Sequence, residues 1–171
     1  MLPEGMAVVE LRRLLRDNEA DAVVLDGLVS DVAAVSGRQG ELGPEATAFL
    51  AVKLHAWYTA FESILERIAR VVEGGLSAGP AYHQDLLRGM TLPLAEVRPA
   101  VISRERLPDL SDMLAFRHFF RHAYAISLDE AELRRHAARL QRLHPGVRQD
   151  LRAFESVVLE WIQRLEAAAT R

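Results

Sequence analysis

Apolar residues recur every three or four positions along almost the whole chain, and this helical period is the feature that most constrains its fold. The period is clearest between residues 44 and 73, where its members are Phe49, Leu54, Trp57, Phe61, Ile64, Leu65 and Ile68. No segment shows the sustained alternation of a half-buried strand. The pattern predicts an all-α fold, and long helices with short connections favour an antiparallel up-and-down helical bundle.

Turn-forming residues divide the first half of the pattern into helices. A first helix is predicted over Met6–Val35, with a break or bend near 17–21. A second is predicted over Pro44–Glu73, because Pro44 suits a first helical turn and two glycines follow Glu73. A shorter helix is predicted after Pro80.

The second half begins with a connection over 91–108, which contains three prolines. A helix is predicted over 110–125, and Ser127 with Glu130 fits a capping box that starts another helix, ending near Leu143. His144-Pro145-Gly146 predicts a break before a last helix. With no internal repeat or linker, we expect residues 1–171 to form a single domain.

Composition limits the classes of function. A formal net charge of -3 argues against coating nucleic acid by bulk electrostatics, so any such binding must use a local basic patch. The absence of cysteine excludes disulfides, thiolate metal sites and a cysteine nucleophile, and it fits a reducing compartment. No apolar stretch approaches the roughly 20 residues that span a bilayer. We therefore expect a cytoplasmic protein without membrane insertion.

The densest group of chemically functional side chains lies between residues 117 and 124 and reads R-x4-H-x-Y. On a helix that advances about 100° per residue, one side carries Arg117, His118, Arg121, His122 and Tyr124. The aromatic residues between them fall on the opposite side. We therefore expect the aromatic side to enter the core and the five polar groups to share one exposed face.

The sequence around this motif resembles the HepT-like toxins of the HEPN superfamily. The resemblance is carried by Phe-Arg-His-Phe-Phe-Arg-His-Ala-Tyr over 116–124, between Asp112-Met-Leu and Leu128-Asp129. Tyr82-His-Gln-Asp-Leu-Leu and the connection 97–103 are also similar to that family. The resemblance covers about residues 50–165.

The resemblance implies a HEPN-like all-α ribonuclease toxin that forms a homodimer and needs no cofactor. It implies RNA as substrate and a minimal nucleotidyltransferase (MntA-like) antitoxin as partner. In that family the motif's arginine and histidine are catalytic, and they correspond to Arg117 and His122. The motif's tyrosine, which receives AMP from the antitoxin, corresponds to Tyr124.

Metal-free RNA cleavage needs a base, an acid and a cation at the phosphate. Arginine suits the phosphate and histidine suits proton transfer, so we assign these roles to Arg117 and His122. Because one histidine does not readily supply both proton transfers, either His118 assists or a two-fold axis brings a second copy of the motif into a shared cleft. We favour the dimer. Arg121 is expected to bind substrate phosphate.

Asp112 either supports a motif residue through another element or stabilises the first turn of its helix. His55 and His83 are interpreted as packed or partly exposed residues. His136 is expected to face solvent within a basic run that can extend an RNA-binding surface.

Three other functions remain open. His118 and His122 have the spacing of two metal ligands on one helix, although the neighbouring arginines oppose a cation. The chain can instead be a non-catalytic helical module that binds a nucleotidyltransferase partner. A nucleotide-binding domain would need a phosphate loop or metal-binding acids, and the sequence contains neither pattern.

Overall fold

The computed structural model describes residues 4–75, 79–122 and 128–170 and is all-α across them, which confirms the predicted fold class. Its α-helices are α1 (Glu4–Ser36), α2 (Pro44–Ile68), α3 (Tyr82–Met90), α4 (Leu107–His122) and α5 (Glu130–Ala169). A π-helical turn, Ala69–Glu73, extends α2, and a 3-10 turn, Arg104–Arg106, precedes α4. Among the helices of these three ranges, none has the length and apolar character needed to cross a membrane.

Ion pairs between helices show how α1 and α2 run. Lys53, early in α2, pairs with Asp31, late in α1, at 2.7 Å. Arg67, at the end of α2, pairs with Asp21, nearer the middle of α1, at 2.6 Å. The two helices are therefore antiparallel, and α5 packs along α1 in the same antiparallel sense.

Helix α2 is the centre of the bundle, since it packs against α1, α3, α4 and α5. The apolar stripe that the sequence predicts for it is buried, except that Phe49 is 42% exposed. Burial of one large apolar side chain contributes about 1.5–3 kcal/mol. Gly74 ends the extended helix in the left-handed conformation, with φ of 80°, at the position that the sequence indicates.

Helix α1 is continuous, so the predicted break near 17–21 is wrong. The polar residues there bind a neighbouring helix instead of ending their own. Arg67 of α2 donates to Asn18 Oδ1 at 2.8 Å and to Asp21 Oδ2 at 2.6 Å. Asn18 is only 4% exposed, and this partner allows a polar side chain inside the bundle.

Helix α5 is also continuous, and the predicted break at 144–146 is wrong, because Pro145 lies inside it. An internal proline removes one backbone hydrogen bond and costs about 3 kcal/mol or more. Contacts with other helices hold the preceding residue. His144 Nδ1 accepts from Trp57 Nε1 at 3.3 Å, and its Nε2 lies 2.8 Å from Asp26 Oδ1.

The residue after the proline is held by a different contact. A Cβ atom at Gly146 would overlap the Arg106 guanidinium, which lies against the helix backbone. Arg106 is fixed there by Asp150, one turn further along α5, with an Nε–Oδ2 distance of 2.7 Å. Tertiary contacts on both sides of Pro145 therefore keep the helix continuous.

The start of α5 differs from the predicted capping box. Asp129 is the N-cap, and its Oδ1 accepts from the backbone N–H groups of Ala131 at 2.8 Å and Glu132 at 3.4 Å. Glu130 accepts from the backbone N–H of Leu42 at 2.8 Å. Ser127 lies outside the described residues.

The predicted connection over 91–108 is confirmed up to the 3-10 turn, although α4 already begins at Leu107. Arg98 anchors this segment. It is 6% exposed, donates to the carbonyl oxygens of Gly89, Leu92 and Pro99, and pairs with Glu73 at 2.6 Å.

We predict that the free energy of unfolding falls as pH drops below about 6.5, in part because of His144. Burial lowers the pKa of His144 from 6.5. Since Trp57 Nε1 can only donate, Nδ1 must stay unprotonated to accept from it. His144 therefore binds a proton at a lower pH in the folded state than in the unfolded chain. Its contribution to the free energy of unfolding is fully present above pH 6.5 and declines below it.

Urea unfolding at pH 7.5 and 5.5 measures this dependence. His144→Gln should weaken it without abolishing it, because burial also lowers the pKa of His55 and His136. An unchanged difference between the two pH values in His144→Gln would contradict the assignment.

Candidate functional site

The side of α4 that enters the core includes Arg117. Its buried residues are Leu110, Met113, Leu114, Phe116 and Arg117, and Arg117 is only 7% exposed. Phe119, expected in the core, is 44% exposed. The expectation that the polar groups share one exposed face, with the aromatic residues opposite, is therefore wrong for these two positions. Polarity alone does not assign a helix face when a second helix supplies a partner for the buried charge.

That partner is Glu62 of α2, which is 4% exposed. Arg117 Nη2 lies 2.9 Å from Glu62 Oε2, and Arg117 Nε donates to Thr59 Oγ1 at 3.4 Å. Nη1 of Arg117 is buried and has no hydrogen-bond partner among the described residues. The pair is a desolvated ion pair in which one face of the guanidinium keeps unused donors.

The same carboxylate also holds a histidine from α3. His83 Nδ1 lies 2.6 Å from Glu62 Oε1, so Glu62 binds Arg117 with one oxygen and His83 with the other. The His83 ring lies edge-on to that of His118, with 5.3 Å between ring centroids. Together with Pro80, Ala81 and Gln84, these two histidines line an open cavity of about 280 Å³.

Two tyrosines border Glu62. Tyr58 is buried in α2, and burial together with the neighbouring Glu62 raises its pKa well above the ordinary value. Tyr82 donates to Glu66 Oε1 at 2.9 Å, and burial followed by this hydrogen bond raises its pKa to about 12. Both phenols are therefore neutral near pH 7, and neither is an anionic base.

His55 of α2 lies against Phe120 of α4, with 5.1 Å between ring centroids. Burial, followed by the charges of Arg117 and Arg121, lowers its pKa from 6.5. Its Nδ1 is buried and makes no hydrogen bond within the described part of the chain. His55 is thus a neutral, packed residue beside the motif, as the sequence indicates.

Among the other predicted site residues, Arg121 is exposed at the end of α4 and His118 is half-buried. Asp112 pairs with Arg139 of α5 at 3.0 Å rather than with a motif residue. Since α4 begins at Leu107, Asp112 also lies beyond its first turn, where Asp109 is the acid. The interpretation of Asp112 as a first-turn acid is therefore wrong.

Two motif residues fall outside this description. Tyr124 lies outside the described residues, and so does the side chain of His122, whose backbone belongs to α4. Within the described ranges, no three or more histidine, aspartate or glutamate side chains are grouped to hold a metal ion.

Sequence reasoning missed Glu62 and Thr59 and took His83 for a packed or partly exposed residue. The available signal was a charge on a core stripe: Glu62 lies three residues before buried Leu65 and one after buried Phe61. On α4, Arg117 follows buried Phe116 and lies three residues after buried Leu114. A lone acid and a lone base on two apolar stripes indicate a buried pair, since an unpaired buried charge is strongly destabilising.

The chain matches a family of known proteins over most of its length. A family model described as HepT-like protein matches residues 49–158. The matched segment begins in α2 and ends in α5, so it contains Glu62, His83 and Arg117. No curated protein and no solved structure gives a significant match.

We predict that Glu62→Leu lowers the free energy of unfolding by about 3–5 kcal/mol, because it leaves the buried Arg117 charge without its carboxylate. Arg117→Met should act similarly through Glu62. Urea unfolding of both single variants and of the double variant provides the measurement.

The double variant should lose less than the sum of the two single losses, since it removes both charges together. Additive losses would show that the two side chains do not interact in solution.

Proposed function

The chain belongs to the HepT-like family of the HEPN superfamily, and from this membership we propose that it is a metal-independent endoribonuclease toxin. HepT-like HEPN proteins are generally ribonucleases. The proposal assigns RNA cleavage to Arg117 and His122, and it assigns control to AMP attached at Tyr124 by a minimal nucleotidyltransferase antitoxin. A homodimer that forms the RNA-binding cleft is part of the same proposal.

The observation that carries the proposal is that the Arg117 guanidinium is held in a fixed orientation and still has a nitrogen without a hydrogen-bond partner among the described residues. Glu62 and Thr59 hold its guanidinium in one orientation, while Nη1 keeps unused donors in a buried setting. A phosphoryl oxygen would satisfy those donors and replace an unpaired polar group with a charge-assisted hydrogen bond. Because Nη1 is buried, this contact requires a local opening at Arg117.

The proposed reaction needs no metal. Arg117 stabilises the charge that develops on the phosphoryl oxygens, where a preorganised donor is most effective. His122 transfers a proton, and exposed Arg121 binds a neighbouring phosphate of the RNA. The residues of the motif thus divide into one fixed cation, one proton-transfer group and one accessible cation.

The proposed control acts three residues beyond Arg121 in the sequence. Tyr124 follows Arg121 by three residues, so AMP attached there places a phosphate within reach of the exposed arginine. The added group competes with RNA for that cation and obstructs access to the site.

One observation favours a second candidate function. A deeply buried arginine paired with glutamate also suits a purely structural role, and it would serve equally well in a non-catalytic module that binds a nucleotidyltransferase. Only the first function requires that the purified protein cleaves RNA and that this cleavage depends on the guanidinium of Arg117.

We predict that the purified protein, free of partner, cleaves RNA in the presence of EDTA, and that Arg117→Lys lowers cleavage at least about 100-fold. Lysine keeps a positive charge opposite Glu62 but lacks the planar fork that binds Glu62 and a phosphoryl oxygen at the same time. Gel analysis of end-labelled RNA measures cleavage, and far-UV circular dichroism with thermal melting shows that the variant is folded.

The matched control is Arg164→Lys, since Arg164 is an exposed arginine paired with Glu160 on α5. It should cleave like the wild type. Intact RNA with the folded, unmodified wild-type protein across several substrates would favour the non-catalytic module.

We also predict that co-expression with a minimal nucleotidyltransferase adds one AMP to the wild-type chain and abolishes its cleavage, whereas Tyr124→Phe stays unmodified and active. Intact-mass spectrometry and the same cleavage assay provide the measurement. Equal inhibition of both proteins by the partner would contradict modification at Tyr124 as the means of control.

A further inference from the structure

We infer that His83 of α3 is the second proton-transfer residue of the site and that Glu62 is its positioning residue. The inference rests on the proposed ribonuclease function and deepens it. In the proposed reaction His83 removes the proton of the ribose 2′-hydroxyl, and His122 supplies the proton to the leaving oxygen.

The first support is the hydrogen bond between His83 and Glu62. An ionised carboxylate only accepts, so the Nδ1 atom that lies 2.6 Å from Glu62 Oε1 carries the proton. In the neutral ring Nε2 therefore keeps a free lone pair, which is the atom a general base uses. Glu62 is itself held by Arg117, so the imidazole is bound to a fixed group. A carboxylate in this position orients the ring and stabilises the imidazolium that forms.

The second support is access. The His83 side chain is 26% exposed, and it lines the open cavity that it shares with His118. Glu62, in contrast, is buried at the back of the cluster. A polynucleotide can therefore reach the imidazole, while the carboxylate acts only through it.

The third support is the direction of α4. His118 lies on the side of α4 that faces His83, with 5.3 Å between the ring centroids. His118 belongs to the motif, so this contact places His83 beside the helix to which the proposed function assigns cleavage.

The step balances without another reactant. His83 Nε2 takes the proton from the 2′-hydroxyl, the 2′-oxygen forms a bond to phosphorus, and the bond from phosphorus to the 5′-oxygen breaks. His122, protonated at the start, gives its proton to the 5′-oxygen. The products are a 2′,3′-cyclic phosphate and a 5′-hydroxyl, and exchange with water restores both histidines.

The charged and titratable groups that face His83 come from three helices. Glu62 of α2 contacts it directly, and Arg117 of α4 lies on the far side of that carboxylate. His118 of α4 and Tyr82 of α3 contact its ring, and Tyr82 is bonded to Glu66 of α2. A variant that tests His83 must leave these neighbouring groups in place. His83→Gln meets this condition, because the glutamine amide can still donate a hydrogen bond to Glu62.

The test is the pH dependence of RNA cleavage by wild type, His83→Gln and His122→Gln. Wild-type kcat/KM should follow a bell-shaped curve, with an acid limb from the base and a basic limb from the acid. His83→Gln should lower kcat/KM about 100-fold or more, flatten the acid limb and leave RNA affinity unchanged. His122→Gln should flatten the basic limb. The matched control is Tyr82→Phe, which keeps the ring beside His83 and should retain both limbs.

Two outcomes would overturn the role of His83 alone: cleavage by His83→Gln within about threefold of wild type, or reduced cleavage that keeps the acid limb. In both, the wild type still cleaves RNA and Arg117→Lys still lowers cleavage at least about 100-fold, so the proposed function stands. A wild-type protein that cleaves no RNA would remove both.

Discussion

The buried carboxylate of Glu62 is the interaction on which the site depends. It lies on α2 and binds Arg117 of α4 at 2.9 Å and His83 of α3 at 2.6 Å. A buried carboxylate is strongly destabilising unless charged and hydrogen-bonded partners compensate for lost hydration. Helices α2, α3 and α4 must therefore pack together before Glu62 can be buried, and this packing positions Arg117 and His83 around it. Folding of the bundle and assembly of the site are the same event.

The fold could be predicted from the sequence wherever local signals and tertiary contacts agree. The apolar stripe of α2 predicts both the helix and its burial, and Gly74 ends the helical region at the indicated place. The prediction was wrong where a residue distant in sequence contacts a predicted helix break and stabilises the continuous helix. Pro145 indicates a helix end, yet His144 and Gly146 are held by α1, α2 and the segment before α4. The polar residues near Asn18 indicate a bend, yet Arg67 uses them as acceptors.

The site was predicted less completely for the same reason. The R-x4-H-x-Y spacing and the family resemblance indicate the residues, but they do not indicate which face of α4 is buried. Arg117 belongs to the core stripe only because Glu62, fifty-five positions earlier, supplies the opposite charge. That pairing is a long-range property, and helical periodicity carries no information about it. Phe119 becomes exposed as the counterpart of Arg117 becoming buried.

Burial of Arg117 also changes how control by AMP has to work in the proposed toxin. Arg117 is only 7% exposed and in the proposal is reached through a local opening, so an added phosphate that stays in solvent does not bind it. Arg121 is exposed and precedes Tyr124 by three residues, so in the proposal it is the cation that a modified Tyr124 engages. Inhibition then acts on the entry of RNA rather than on the catalytic arginine itself. In that proposal the ion pair between Arg117 and Glu62 stays intact, so removal of the AMP group restores access for RNA without refolding.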